Sequence, residues 1–213
     1  MSASRHSRAP GRPTRDLDLR DKLLEECCSE CAAHGFRGAS VRAIAAQAGA
    51  TPAMVNYYFG DKRGMYRAML THKLGPLLTT IREHAANAAA ERDPLPLFIR
   101  AYMSRLAECP EIPILLVRDV LSAGGEMRDE FISGFAKHGA AAVARMVELD
   151  KAAGRLRADL DSRLAALSLL SLCAFPFLAA PVAGPALGYA PDADFVEQLA
   201  DHTIRLFYEG AHA

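Results

Sequence analysis

Tryptophan is absent from the 213 residues, and valine and isoleucine are scarce beside alanine and leucine. Such a composition favours helix over sheet, and no stretch alternates apolar and polar side chains as a half-buried strand would. Net charge is absent too, since 25 Lys and Arg balance 25 Asp and Glu. Bulk charge therefore gives no argument for a polyanionic partner. GxSxG, a P-loop, HExxH and a dinucleotide glycine pattern are all lacking, so nothing here points to an enzyme. The first 16 residues are basic and polar and no apolar run follows them, so no secretory leader is expected. Five cysteines, an odd number, then point to a reducing compartment and a cytoplasmic location. "CSEC" ends at Cys31, with Cys27 before it and His34 three residues on, but no second CxxC or HxxxH completes four ligands. No metal and no cofactor are expected. Cys27 and Cys31 share one helical face and read as small apolar fillers, with a thiol sensor as the other reading.

What is there is unevenly spread. Residues 1–75 hold 12 Lys and Arg against 7 Asp and Glu, whereas residues 76–213 hold 13 against 18. A basic N-terminal third on an acidic remainder fits a module that faces nucleic acid, carried by a second unit. Residues 1–16 read as a disordered arm. A first helix is predicted from about Leu17 to His34, ended by Gly35, with an apolar stripe through Leu23, Leu24, Cys27, Cys28 and Cys31. Ser40 caps a short second helix whose Val41, Ile44, Ala45 and Ala48 recur at helical spacing. Gly49 permits a sharp turn, Thr51 is an N-cap, and Pro52 stands at the first helical position, where it is tolerated.

Two short helices across a tight glycine turn, preceded by a longer one, make a helix-turn-helix unit. Three rings in a row, Tyr57, Tyr58 and Phe59, cannot all enter one buried stripe. With Val55 and Phe59 inward, Thr51, Pro52, Ala53, Asn56 and Tyr57 lie on other faces and Tyr58 at an edge. Exposed amides, an Asn and phenols at the start of a helix suit a major groove, and Lys62 adds a cation at the rim.

The run "SVRAIAAQAGATPAMVNYYFGDKRGMYRAML" resembles the DNA-binding signature of TetR-type transcriptional regulators. The resemblance spans residues 17 to about 70. It implies phosphate contacts by Ser40 or Arg42, Thr51, Tyr57, Tyr58 and Lys62, and base readout by Pro52, Ala53, Asn56 and Tyr57. The family more often has Tyr where Asn56 stands and His where Tyr58 stands, so the operator sequence is not transferable. The implied fold class is all-α with about nine helices. Residues 17–62 would be the helix-turn-helix domain and 63–213 a domain for effector binding and dimerisation.

Downstream, a fourth helix starts near Asp61 and should kink or split at Gly75–Pro76. Helices are predicted over "LFIRAYMSRLAE", over "PEIPILLVRDVLSAGG" as far as Gly124–Gly125, and from about Arg128 to Ala153. Residues 164–191 contain no charge, a length that raises a membrane anchor as a rival reading. Four prolines and two glycines interrupt the stretch, so a helix buried on most sides is the expectation and no membrane partner is predicted.

One helix-turn-helix reads a single half-site, so a homodimer on a palindromic DNA operator is expected. The resemblance implies that helices over about Asp161–Ala180 and Asp192–Glu209 form a four-helix bundle with a partner. Candidates on the first are Leu167, Leu170, Ala174 and Phe177; on the second they are Phe195, Leu199, Thr203 and Leu206. It also implies an apolar pocket for a small-molecule effector. Phe98, Tyr102, Met103 and Leu115 are candidates for its wall, with Phe131, Phe135 and Met146. Arg118 and Arg105 are candidates to anchor an acidic ligand. The whole reads as a ligand-responsive regulator, a repressor released by its effector.

Overall fold

The computed structural model describes residues 14–87 and 94–211, and these are mostly helical, with no strand among them. Most of the expected N-terminal arm thus lies outside the described residues; its last three residues open the first helix. The order is α1 (Thr14–Gly38), α2 (Val41–Gln47), α3 (Pro52–Phe59), α4 (Lys62–Asn87) and α5 (Pro94–Glu108). α6 (Glu111–Leu115) continues as a π-helical segment, Leu116–Leu121. α7 (Arg128–Phe131), a π-helical segment (Ile132–Ala136) and α8 (Lys137–Ala152) follow one another without a gap. α9 (Ser162–Leu178), α10 (Ala180–Leu187) and α11 (Ala193–Ala211) complete the chain.

The apolar stripes bury as their spacing requires. Leu23, Leu24, Cys27, Cys28 and Cys31 of α1 are closed off against Ile44 and Ala45 of α2, Val55 of α3, and Met65, Tyr66 and Met69 of α4. Burial pushes the Cys28 thiol up to about 12, and a hydrogen bond with Cys31, with burial added, pushes Cys27 higher still. Thiols kept protonated in this way are packing groups and poor nucleophiles. In the larger half, α4 packs on α5 and α8, α8 on α9, and α11 on α5.

Three expectations are corrected. α4 is not split at Gly75–Pro76 but runs through to Asn87. Proline removes one intrahelical bond, yet packing on three neighbours holds the rod, and Arg105 donates to the Lys73 carbonyl at 2.9 and 2.6 Å just upstream. The helix over "PEIPILLVRDVLSAGG" ends at Leu121, before the glycine pair, because the Arg128 guanidinium takes the Val120 and Ser122 carbonyls that would carry it on. The uncharged stretch is two helices bent by 80° at Ala179, and among the described residues no single helix is long and apolar enough to cross a membrane. Tyr189 fixes that bend by donating to the Pro176 carbonyl at 2.9 Å and stacking on Phe195 at 4.4 Å.

One buried carboxylate ties the two halves together. Asp119, 6% exposed in the π-helical segment after α6, accepts the Phe36 N–H on both oxygens at 3.1 and 3.2 Å and the Tyr66 hydroxyl at 3.0 Å. The backbone N–H becomes available because α1 breaks at Gly35, whose φ of +71° suits glycine. A side chain there would also strike Arg118, 2.9 Å from the position of a Cβ. Arg118 in turn donates to the Ala32 carbonyl at 2.9 Å. Arg37 pairs with Glu126, and Arg63 pairs with Glu130 and donates to the Glu126 carbonyl at 3.1 Å. The surface pairs contribute little, whereas removing a buried carboxylate strands its donors. Asp119→Ala is expected to lower stability by about 3 kcal/mol, and Tyr66→Phe by about 1 kcal/mol, as read by urea unfolding. An Asp119→Ala midpoint equal to the wild type would contradict this role.

Candidate functional site

At the N-terminal end, α2 and α3 are set by local backbone chemistry. The Ser40 hydroxyl caps α2 by accepting from the Ala43 N–H at 3.3 Å, and its own N–H donates to the buried Glu30 carboxylate at 3.0 Å. Gly49, at φ +70°, turns the chain, and the Ala50 N–H closes the turn on the Ala45 carbonyl at 2.8 Å. Thr51 is extended, with its hydroxyl not spent on capping, and Pro52 opens α3. Ser40, Arg42, Thr51, Pro52, Ala53, Asn56 and Tyr57 are all exposed. Tyr57, at 83%, is the most exposed large apolar side chain of the described residues.

The three consecutive rings therefore divide. Tyr57 stands in solvent, while Tyr58 and Phe59 are half-buried. Phe59 does not close the small core as expected; Ile44, Ala45 and Val55 do, and Phe59 packs at the core's edge with the Arg20 guanidinium 5.5 Å from its ring centre. Lys62 is anchored rather than free. Its ammonium donates to the Arg37 carbonyl at 3.1 Å and lies 5.0 Å from the Phe36 ring centre. An ammonium has three donors, so one anchored here still presents charge beside α3. The face as a whole offers N-terminal amides, one carboxamide, hydroxyls and cations, which are the groups that meet phosphates and base edges.

The larger half holds a half-open apolar cavity of about 380 Å³, within the range of small-molecule sites, with the exposed Ser171 and Phe175 at its mouth. Phe98, Tyr102, Phe131 and Phe135 line it, as do Ile112 and Leu116. Met103, Leu115 and Met146 are corrected to plain core beside it, since each is fully buried without reaching the cavity. Arg118 and Arg105 are also corrected. Neither lines the cavity, and both guanidiniums are committed to backbone carbonyls in Ala32 and Lys73. Burial pushes the Tyr102 phenol up to about 12, with a further small push from Cys173. No group of three His, Cys, Asp or Glu among the described residues is placed to hold a metal.

Residues 23–69 match the family model for bacterial regulatory proteins of the tetR family. This segment is a TetR-family domain. Solved structures agree along most of the chain. FadR of Bacillus subtilis in complex with stearoyl-CoA superposes with a TM-score of 0.74 at 19% identity, covering 90% of this chain and 99% of that one. The fatty acid degradation regulator FadR of Bacillus halodurans gives 0.72 at 18% identity, with the same coverage. SmeT of Stenotrophomonas maltophilia, the repressor of a multidrug efflux pump, gives 0.68 at 17% identity over 91% and 92% of the two chains. At these identities the likeness shows a shared TetR-like fold. No curated protein sequence matches the chain.

On the TetR-like fold the expected partner-facing residues scatter. Phe177 and Thr203 are buried within the chain's own core, Phe177 because α9 turns Ala166, Leu169, Cys173 and Phe177 inward at helical spacing, and Thr203 because α11 does the same with Val196, Ala200 and Phe207. Leu170 and Ala174 line the cavity, and Phe195 and Leu199 are half-buried. Leu167 and Leu206 do lie exposed. Reasoning from sequence passed over Leu164 and Phe175, which with Leu167 form an outward apolar stripe 62–64% exposed. The missed signal was their i, i+3, i+11 spacing on the side of α9 opposite the inward stripe.

Asn56 is the exposed carboxamide of α3, so Asn56→Ala is expected to lose discrimination at one symmetric pair of base positions, by about 1–3 kcal/mol per base contact. Competition binding against a panel of single-base variants reads this directly. Equal weakening on every variant would show that Asn56 reads no base.

Proposed function

We propose that the chain is a ligand-responsive transcriptional repressor, cytoplasmic, acting as a homodimer on a palindromic operator. The observation that carries this reading is the pairing of an exposed α3 face with an apolar cavity in one fold, connected both by α4, which packs on α3 and lines the cavity with Leu74, Leu77, Leu78 and Ile81, and by the segment 111–121. In this reading residues 17–62 bind DNA, and 63–213 hold the effector and the partner. Pro52, Ala53, Asn56 and Tyr57 meet base edges. Ser40, Arg42, Thr51, Tyr57, Tyr58 and Lys62 meet phosphates. The N-terminus of α3, aimed at the duplex, adds the positive end of its helix dipole.

Dimerisation answers a specific problem. Leu164, Leu167 and Phe175 of α9 and Leu206 of α11 stand exposed on the last helices. Covering such surface is favourable by about 25 cal/mol per Å². A second copy supplies the same apolar surface, and its recognition helix can then reach a second half-site a helical turn away.

The effector acts through the segment 111–121. Ile112 and Leu116 touch the cavity, and Asp119, one turn on, holds α1 and α4. An occupant that shifts this segment drags the Phe36 and Tyr66 anchors with it and changes the spacing of the two recognition helices. It shifts the population only to the extent that it binds the misaligned arrangement more tightly. The stearoyl-CoA bound by the Bacillus subtilis neighbour supports an effector with a large apolar part.

Selection of genomic DNA fragments with the purified protein tests the reading. An inverted repeat is expected, bound by a particle of twice the 23.0 kDa chain mass. Recovery of an asymmetric site bound by a monomer would refute it.

A further inference from the structure

The wall of the cavity constrains the effector's chemistry, granted the reading above that this cavity is the effector site. Among its lining residues only Tyr102 and Ser171 carry a polar side-chain group, and none carries a charge. Ser171 is already committed, since its hydroxyl donates to the Leu167 carbonyl at 2.8 Å. The Tyr102 hydroxyl has no hydrogen-bond partner among the described residues, and its ring is held against Phe98 at 5.5 Å. It is one uncommitted phenol in an otherwise apolar lining.

Charge is excluded by the same surroundings. The nearby arginines, Arg105 and Arg118, are held by backbone carbonyls outside the lining. Tyr102 is pushed up to about 12, and Cys173 behind it likewise, with no cation opposing either shift. A carboxylate seated against this wall would give up part of its water and find no counter-charge in the lining, which disfavours it against a neutral group. At about 30 Å³ per small heavy-atom group, the 380 Å³ cavity holds on the order of a dozen of them.

We infer that the part of the effector lying in the cavity is uncharged and mainly apolar, with a single hydrogen-bonding group that pairs with the Tyr102 hydroxyl. Tyr102 is thus a specificity-determining residue of the site. It selects neutral alcohols, phenols or carbonyl compounds over both pure hydrocarbons and acids of the same size.

Three naphthalenes of matched shape test this on the intact protein at pH 7: 2-naphthol, which is neutral with one hydroxyl, naphthalene itself, and anionic 2-naphthoate. Their own fluorescence can be titrated without interference because the chain has no tryptophan. Affinity is expected to fall in the order 2-naphthol, naphthalene, 2-naphthoate, with at least tenfold between first and last. Tyr102→Phe is expected to weaken 2-naphthol about five- to tenfold and to leave naphthalene within twofold, which also shows that the variant keeps its cavity. Binding of 2-naphthoate as tight as 2-naphthol overturns the inference while leaving an effector cavity in place. Loss of naphthalene in Tyr102→Phe overturns it as well, by making the ring a packing element. Failure of all three to bind the wild type overturns the effector-site reading, and this inference falls with it.

Discussion

A buried carboxylate with three hydrogen bonds decides how the two halves of this molecule are set. Asp119 is drawn from water to a site where its partners are one backbone N–H, reached on both oxygens, and one phenol. Such a group is stable inside only when its lone pairs are met, so the geometry tolerates little slack. The break at Gly35 exposes the N–H that Asp119 needs, and the Phe36 ring that follows packs edge-on to Tyr66 at 5.3 Å. The same ring lies beneath the cations of Lys62 and Arg63 at the start of α4. Each contact is modest, but together they fix α1 and α4 against one segment of the larger half, and α2 and α3 are packed on α1 and α4.

This arrangement makes the cavity and the α3 face parts of one mechanical system. Ile112 and Leu116 form cavity wall on the segment whose later turn carries Asp119. The segment is π-helical from Leu116 to Leu121, a rare geometry that occurs mostly as short insertions in α-helices. A second π-helical segment, Ile132–Ala136, also lines the cavity, with Phe135. Two stretches of its wall thus come from π-helical rather than α-helical turns.

How much of this could be read from residues alone differs by region. The first sixty or so were legible because their chemistry is local: Ser40 at a cap, Gly49 at a turn and Pro52 at a first helical position each specify backbone within a few residues. Exposure of Asn56 and Tyr57 followed from counting faces around Val55. Asp119 was not legible, since a charge in "LLVRDVL" resembles a solvated residue on an amphipathic helix. Its place seven residues after Ile112 and four after Leu115, in line with a buried stripe, was the available sign. Pro76 misled because local rules assign it a break that tertiary packing overrides. Arg118 and Arg105 misled for the opposite reason, because free donors in sequence are claimed in space by distant carbonyls. On α9 both faces are apolar, so periodicity could not say which one turns inward, and Phe177 was assigned outward; Thr203, a polar residue of α11, was assigned outward too, although it continues the inward line of Val196, Ala200 and Phe207.

The central claim, that Asp119 sets the position of the recognition helix relative to the cavity-bearing half, is most directly tested by a distance measurement. Spin labels on cysteines introduced at the exposed positions Ala46 and Gln198 would report it by pulsed dipolar spectroscopy, since the native cysteines are all buried. With doubly labelled chains diluted into excess unlabelled chain, so that each dimer carries at most one labelled copy, a single narrow distance distribution is predicted, broadening or shifting when Asp119 is replaced by alanine. An unchanged narrow distribution without the carboxylate would contradict the account.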